Sequence, residues 1–154
     1  MCIRDRLRIN PIVEEALASR IIDIGADPAS NVVREVPIPG ESGRFDFGVD
    51  EILIEVKSVT YEQGGDGYFP DAVSVRATRH IRALERCRAD GIRAILLFCA
   101  AHSGIKRVTT ANRIDPVYAS AVRDALDQGV EVIAFGCSIS PDEIAVTHSI
   151  PFAM

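Results

Sequence analysis

Two apolar runs in the second half of the chain predict the centre of a β-sheet. Residues 92–99, IRAILLFC, and residues 130–137, VEVIAFGC, are almost continuously apolar. Such runs are typical of strands that are covered on both faces. A helix is predicted before each run, from Asp71 to Asp90 and from Pro116 to Gln128. The two strands are therefore expected to be parallel and joined by right-handed crossovers.

Start and stop signals define three helices. A polar residue can cap each start, and a glycine follows each end. The boundary residues in chain order are Asn10 and Pro11 with Gly25, Asp71 with Gly91, and Asp115 and Pro116 with Gly129. The apolar stripe of the middle helix is formed by Val73, Ala77, Ile81 and Leu84. These signals place the first helix directly before the strands described next.

Alternating residues predict a meander of three strands between the first two helices. The strands cover residues 32–38, 44–49 and 52–60, and only Asp50-Glu51 separates the last two. A connection this short is typical of antiparallel neighbours. Because side chains alternate across a strand, Glu55 and Lys57 share one face and Val56 lies on the other.

Four segments have weaker patterns. Residues 61–71, YEQGGDGYFPD, fit neither the helical nor the strand period of apolar residues. They are interpreted as a mobile loop that can close over a site. Residues 102–113 are interpreted as a basic linker, residues 143–148 as a last strand and residues 149–154 as irregular. Together the elements predict a mixed α/β fold in which helices flank one central β-sheet.

Composition indicates a single globular domain. The chain has 154 residues, of which 47% are hydrophobic, and its net charge is −5. No apolar run approaches the ~20 residues that a membrane span requires, and the chain start does not resemble a signal peptide, so a cytoplasmic protein without a membrane partner is expected. The acidic balance argues against coating nucleic acid by bulk charge. The four cysteines are Cys2, Cys87, Cys99 and Cys137. All four are expected to be free thiols, and three of them are expected to face the core.

The hairpin formed by residues 44–60 suggests a site. Pairing of its strands brings Asp46 towards Glu55, and Lys57 shares the face of Glu55. Two carboxylates beside an ammonium group can hold a hard divalent cation and orient a water against a phosphodiester. The alternative is that Glu55 and Lys57 form a solvated pair on an exposed edge strand, where lysine guards against unwanted strand pairing.

Other features narrow the choice of site. The sequence has no G-x-G-x-x-G, Walker A, H-E-x-x-H or G-x-S-x-G motif, and a total of three histidines argues against a histidine-rich zinc site. On the middle helix, Arg79, Arg82 and Arg86 share one face, with Arg76 and His80 at its border. This face is either solvated or a local footprint for phosphates.

Three blocks together resemble the sugar fermentation stimulation protein family, SfsA. The blocks are SGRFDF at residues 42–47, IEVKSVT at residues 54–60 and GYFPDAVSVRATRHIRAL at residues 67–84. Further similar segments are RAILLF, IDPVYA and GVEVIAF, at residues 93–98, 114–119 and 129–135. The resemblance extends from about Asn10 to the chain end. It implies a PD-(D/E)xK restriction-endonuclease-like fold for a single domain over residues 10–154.

The resemblance also implies roles for individual residues. Asp46 and Glu55 stand at the superfamily's metal positions, and the first-helix acid corresponds to Glu15. These residues, with the Val56 carbonyl, would hold Mg²⁺ or Mn²⁺, and Lys57 would orient water or neutralise phosphate charge. The candidate phosphate contacts are Arg44, Arg76 and Arg79. Asp71 and His80 fall on family motif positions. The structural alternatives are that Asp71 only caps the helix and that His80 is a hydrogen-bonded histidine at the border of the helix face. For Arg44 the alternative is an ion pair with a neighbouring acid.

Two departures bear on function. Family members usually carry an N-terminal OB-like domain before the first helix. Residues 1–9 are interpreted as a non-native or truncated lead in its place, and DNA affinity is expected to be weak or dependent on that domain. Ala77 stands where the family commonly has glycine. The resemblance leaves three interpretations: a Mg²⁺-dependent nuclease, a non-catalytic DNA-binding regulator of sugar (maltose) metabolism, or an inert remnant. The oligomeric state stays open.

Overall fold

Twelve elements build the structure, a computed structural model that describes residues 3–154, with side chains from Ile9 onward. The helices are α1 (Ile3–Ala18), α2 (Val75–Ala89) and α3 (Pro116–Asp127). The strands are β1 (Val32–Pro37), β2 (Arg44–Val49), β3 (Ile52–Val59), β4 (Tyr61–Gln63), β5 (Asp66–Phe69), β6 (Ala94–Ala100), β7 (Arg107–Thr110), β8 (Glu131–Ile139) and β9 (Ile144–Ile150).

A six-stranded sheet forms the centre, in the order β1-β2-β3-β6-β8-β9. The inner strands β3, β6 and β8 are parallel to one another, and the outer pairs are antiparallel. Every residue of β6 is buried, as its apolar run predicts for a strand covered on both faces. This arrangement confirms the predicted mixed α/β fold and its parallel crossovers.

Two hydrophobic layers cover the sheet. One lies beneath α2 and α3 and contains Ile81, Leu84 and Tyr118. The other lies against α1 and contains Val13 and Leu17. Because neighbouring positions of β3 contribute to opposite layers, the side chains of Glu55 and Lys57 face the α2–α3 layer rather than solvent.

The first helix differs from its prediction at both ends. It begins at Ile3, so Pro11 lies inside the helix rather than at its first position. Proline removes one amide donor there, and burial of the apolar face that includes Val13 offsets the loss. The helix ends at Ala18 instead of continuing to Gly25, because Arg20 adopts a left-handed φ of 64°. The lead predicted for residues 1–9 stays a prediction, and the thiol predicted at Cys2 lies outside the described residues.

A second, three-stranded sheet replaces two segments that were predicted to be irregular. Residues 61–69 form β4 and β5, and the predicted basic linker contributes β7, which pairs with β5. The prediction of a mobile loop was therefore wrong. Gly67 allows this sheet to approach the core, since a Cβ at that position would lie 2.8 Å from Ile105 and 2.9 Å from Val59. The chain end is also less irregular than predicted, because β9 extends to Ile150.

The middle helix starts later than predicted. Ser74, not Asp71, caps α2 and accepts a hydrogen bond from the Ala77 amide. Val73 consequently lies before the helix and is 69% exposed, so it is not part of the apolar stripe. Asp115 caps α3 as predicted, and its second oxygen accepts the Ser74 amide at 2.9 Å. One buried carboxylate thus fixes the starts of both helices.

The remaining sequence expectations concern thiols and membrane spans. Cys87, Cys99 and Cys137 are free and buried, which confirms the prediction for these three residues. Among the described helices, none is both long and apolar enough to cross a bilayer.

Candidate metal and phosphate site

The site begins where β2 and β3 separate. The two strands pair from Val49–Ile52 to Phe47–Ile54. Beyond that point the Asp46 side chain takes the place of a backbone partner: its Oδ2 accepts the Val56 amide at 2.8 Å, and its Oδ1 accepts Asn10 Nδ2 at 2.9 Å. The hairpin prediction was correct, and the carboxylate of Asp46 is held between α1 and β3.

Glu55 lies at the floor of the site, with only 3% of its side chain exposed. Its Oε1 accepts hydrogen bonds from Lys57 Nζ at 2.7 Å and from His80 Nδ1 at 2.6 Å. An ionised carboxylate can only accept, so the His80 proton is assigned to Nδ1. The second oxygen, Oε2, is buried and has no hydrogen-bond partner among the described residues.

The two carboxylates have opposite electrostatic environments. Burial raises the pKa of Glu55, but hydrogen bonds and charges from His80 and Lys57 outweigh it, and the net pKa lies below the ordinary value. The pKa of Asp46 is raised by burial and by the negative charge of Glu55, although the Val56 amide and Asn10 oppose this. The site therefore keeps Glu55 ionised while making a second negative charge at Asp46 costly.

A cavity of about 330 Å³ opens above these residues. Its walls come from α1, from the segment between β5 and α2, and from α2 itself. The lining residues with polar or charged side chains are Asn10, Arg44, Asp46, Glu55, Lys57, Ser58, Asp71, Ser74, Arg76 and His80. The structure thus brings together most residues that the sequence singled out.

The arginines divide into two groups. Arg44 and Arg76 line the cavity, and within the described residues neither guanidinium contacts a carboxylate; Arg44 reaches only the Glu35 carbonyl, at 3.3 Å. In contrast, Arg82 pairs with Glu85 and Asp124. Arg86 pairs with an acid in the same way, and its partner is Glu41. The predicted arginine face of α2 is therefore partly neutralised, and of the α2 arginines among the described residues only Arg76 lines the cavity.

Two predicted residues are not brought to the cavity. Glu15 is on the exposed face of α1 and does not line it. Arg79 is also exposed, and its guanidinium lies beside Gly43. The first helix instead contributes Asn10, which sequence analysis treated only as a cap. Its spacing from Val13 and Leu17, on one helical face, is the signal that would have found it.

Three further predictions have structural outcomes. Asp71 lines the cavity but does not cap α2. His80 is buried rather than at a helix border, and it contacts Glu55. Lys57 and Glu55 do not form a solvated edge pair, because β3 is the third of six strands and Glu55 is buried. The role predicted for the Val56 carbonyl stays a prediction.

The donor set is small for a metal site. No group of three or more His, Cys, Asp or Glu side chains that could hold a metal ion occurs in the part of the chain that the structure describes. Two carboxylates nevertheless suit Mg²⁺, which usually keeps several waters and binds one or two carboxylates. The unpartnered Oε2 of Glu55 is an oxygen ligand of the required kind.

Comparison with known proteins identifies the family. The sequence profile described as "Sugar fermentation stimulation protein RE domain", SfsA, matches residues 7–143. The chain belongs to the SfsA family. A sugar fermentation stimulation protein homolog of Pseudomonas savastanoi pv. phaseolicola is 41% identical over 145 residues, which cover 90% of this chain and 61% of the relative. A homolog of Shewanella sp. (strain MR-4) is 44% identical over 149 residues, which cover 92% and 62%.

A solved SfsA structure shares the fold. Pyrococcus furiosus SfsA in complex with Ca²⁺ superimposes with a TM-score of 0.85 at 26% identity, over 96% of this chain and 65% of the archaeal one. This match confirms the family resemblance and the predicted fold class. The chain spans less than two thirds of the length of these SfsA relatives.

Proposed function

We propose that this SfsA-family chain carries a divalent-metal-dependent site that hydrolyses phosphodiesters in nucleic acid. The observation that carries the proposal is the buried Oε2 of Glu55, which has no hydrogen-bond partner in the described part of the chain and lies in a cavity that the Asp46 carboxylate also lines. The pKa of Asp46 is raised by burial and by the negative charge of Glu55, and a cation held by these carboxylates would offset both effects. The Ca²⁺ complex of the archaeal relative supports binding of a divalent ion.

The residues of the chain fit distinct roles in such a reaction. Asp46 and Glu55 would hold Mg²⁺ or Mn²⁺, which would polarise the phosphodiester and lower the pKa of a bound water. Lys57 is 13% exposed and lies beside Glu55, so its ammonium group can stabilise negative charge on a phosphate in the cavity. Arg44 and Arg76, at the cavity walls, would hold flanking phosphates.

The support for individual residues is unequal. Glu15 and Arg79 lie outside the cavity and have no role in this proposal. His80 orients Glu55 by its 2.6 Å hydrogen bond and leaves Oε2 free for a ligand. Asp71 lines the cavity and is retained as a candidate without an assigned step.

One observation favours a second function, a non-catalytic DNA-binding protein that regulates sugar metabolism. Lys57 already compensates the charge of Glu55 without any metal, and His80 donates a hydrogen bond to the same carboxylate. A buried carboxylate whose charge is compensated by side chains can serve a purely structural role. Arg44 and Arg76 can still contact phosphates in such a site. The two functions share a location but differ in whether Asp46 and Glu55 are required for chemistry.

Metal titration tests the proposal. Calorimetry with Mg²⁺, Mn²⁺ and Ca²⁺ is expected to show binding to the wild-type chain and a loss of more than about tenfold in affinity for Asp46→Asn and Glu55→Gln. Glu51→Gln is the matched control, because Glu51 is exposed in the turn of the same hairpin and does not line the cavity. Circular dichroism establishes that each variant is folded.

Cleavage assays separate the two functions. Lys57→Met is expected to retain metal binding and to lose metal-dependent cleavage of labelled oligonucleotides. A folded wild-type chain that binds no divalent ion would refute the catalytic proposal. Metal binding without cleavage, together with DNA binding that survives Asp46→Asn, would instead support the regulatory function.

A further inference from the structure

The depth of the site restricts what can reach it. Only 3% of the Glu55 side chain and 13% of the Lys57 side chain are exposed, at the floor of the 330 Å³ cavity. Pockets of ~300–1,000 Å³ typically enclose one small ligand. This volume is at the lower end of that range, which corresponds to about one nucleotide rather than a length of double helix.

The walls of the cavity approach it from different sides. Ile9 and Asn10 of α1 form one wall, the segment 69–74 forms another, and Arg76 and Ala77 of α2 lie beside it. A nucleotide in a duplex is held in the stack by its neighbours and its partner base, so it enters such a pocket only after it is unpaired and turned outward. An unpaired strand has already lost these constraints.

The mouth of the cavity has apolar side chains that suit unpaired bases. Val73 lines the cavity and is 69% exposed, and Val75 follows at the start of α2 with 80% exposure. Flat base faces are available for apolar contact in single strands but are hidden within a duplex. Exposed valines beside Arg76 therefore combine a base contact with a phosphate contact.

Among the described residues, two arginines line the cavity, Arg44 and Arg76, and neither guanidinium contacts a carboxylate of these residues. Further along α2, Arg82 and Arg86 are paired with acids. Duplex affinity arises mainly from several simultaneous phosphate contacts. In a chain of net charge −5, the two described cavity arginines are enough to guide a flexible strand but provide little affinity for a rigid duplex.

We infer that the substrate of this site is an unpaired nucleic-acid strand, and that an intact duplex is excluded. The inference rests on the proposed function and specifies its substrate class. Four observations support it: the depth of Glu55, the nucleotide-sized cavity, the exposed Val73 and the two arginines that line the cavity among the described residues.

Binding experiments compare one oligonucleotide in three forms. Fluorescence anisotropy in Ca²⁺ buffer measures a labelled single strand, the same strand in a blunt duplex, and the duplex with an unpaired tail. The single strand and the tailed duplex are expected to bind at least about tenfold more tightly than the blunt duplex, the effect of roughly one base contact. Cleavage in Mg²⁺ or Mn²⁺ is expected in the unpaired parts only, and an RNA strand tests whether the sugar matters.

A matched pair of valine variants tests the mouth. Val73→Ser is expected to weaken single-strand binding by about threefold to tenfold and to leave duplex binding unchanged. Val33→Ser is the control, because Val33 is 55% exposed on β1 and does not line the cavity. Both residues are on the surface, so folding should be unaffected.

The outcomes distinguish the inference from the function on which it rests. Equal or preferred binding and cleavage of the blunt duplex would overturn the strand inference and leave the metal-dependent function standing. Absence of metal-dependent binding and cleavage with all three forms would overturn both. A Val73→Ser variant identical to wild type would overturn the proposed base contact, whereas the comparison of the three oligonucleotide forms decides the strand preference itself.

Discussion

Replacement of His80 by phenylalanine tests how Glu55 is held. The His80 ring is buried, and its Nδ1 lies 2.6 Å from Glu55 Oε1. Phenylalanine has a similar ring but no donor, so Glu55 would keep only the hydrogen bond from Lys57, at 2.7 Å. The perturbation therefore removes one partner of a buried carboxylate and introduces a somewhat larger ring, whose packing cost is shared by both backgrounds of the cycle described below.

The expected magnitude follows from the charge of the acceptor. A hydrogen bond to a charged group contributes ~1.5–3 kcal/mol, and loss of a partner leaves the buried charge less well compensated. We expect His80→Phe to lower the free energy of unfolding by about 2–3 kcal/mol at neutral pH. In a Glu55→Gln background the acceptor is neutral, and the same replacement should cost roughly 1 kcal/mol.

The pH dependence gives a second readout. Hydrogen bonds and charges from His80 and Lys57 hold the pKa of Glu55 below its ordinary value. A lowered folded-state pKa contributes stability above the unfolded-state pKa, ~4.3, and this stability is lost as the pH falls through the folded-state pKa. The difference in unfolding free energy between wild type and His80→Phe should therefore shrink as the pH falls from 7 into this acidic window.

The assay is urea unfolding in EDTA, for wild type, both single variants and the double variant. A double-mutant cycle should give a coupling energy of at least about 1 kcal/mol between His80 and Glu55. His102→Phe is the control, since His102 is exposed and should change stability by less than about 0.5 kcal/mol. Additive effects in the cycle, or a cost that does not change with pH, would refute the reasoning.

Two further predictions concern single carboxylates. Asp46→Asn should make the metal-free chain more stable at neutral pH. Burial raises the pKa of Asp46 in the folded chain, so folding is favoured at low pH, where the carboxyl is protonated, and this benefit is lost as the pH rises. Asparagine carries no charge and therefore avoids the cost of a buried negative charge at pH 7. Urea unfolding at pH 7 measures the gain, and a loss of stability would contradict the predicted sign. Asp115→Ala should cost about 2–3 kcal/mol, because it removes the α3 cap and the acceptor for the Ser74 amide. Thermal unfolding measures it, with the exposed Asp127→Ala as control; equal effects of the two variants would count against the double cap.

The success of sequence analysis followed the strength of the local signal. The buried strand β6, the partly buried strand β8 and the Asp115 cap were predicted because long apolar runs and a cap followed by Pro116 are strong local patterns. The hairpin of β2 and β3 was equally clear, and its register placed Asp46 near Glu55. These elements need little information from distant parts of the chain.

The errors occurred where tertiary contacts decide the structure. β4, β5 and β7 have three or four residues each, too few for a periodic pattern, and they exist because they pair with one another. Asp71 and Ser74 are both good caps three residues apart, and the bond from the Ser74 amide to distant Asp115 is not visible in the sequence. Pro11 resembles a helix start, yet packing keeps the helix continuous around it.

The geometry of the candidate site depends on the helical layer as much as on the hairpin. Asp115 holds Ser74, Ser74 caps α2, and α2 carries His80 to Glu55. Because each link is a hydrogen bond between buried or partly buried groups, a change at Asp115 should shift His80 and thereby the orientation of the free Glu55 oxygen. A variant at Asp115, which reaches the cavity through Ser74, should then reduce the metal affinity that we propose for the site without removing a ligand. Sequence patterns located the carboxylates, but the path that orients them exists only in the folded chain.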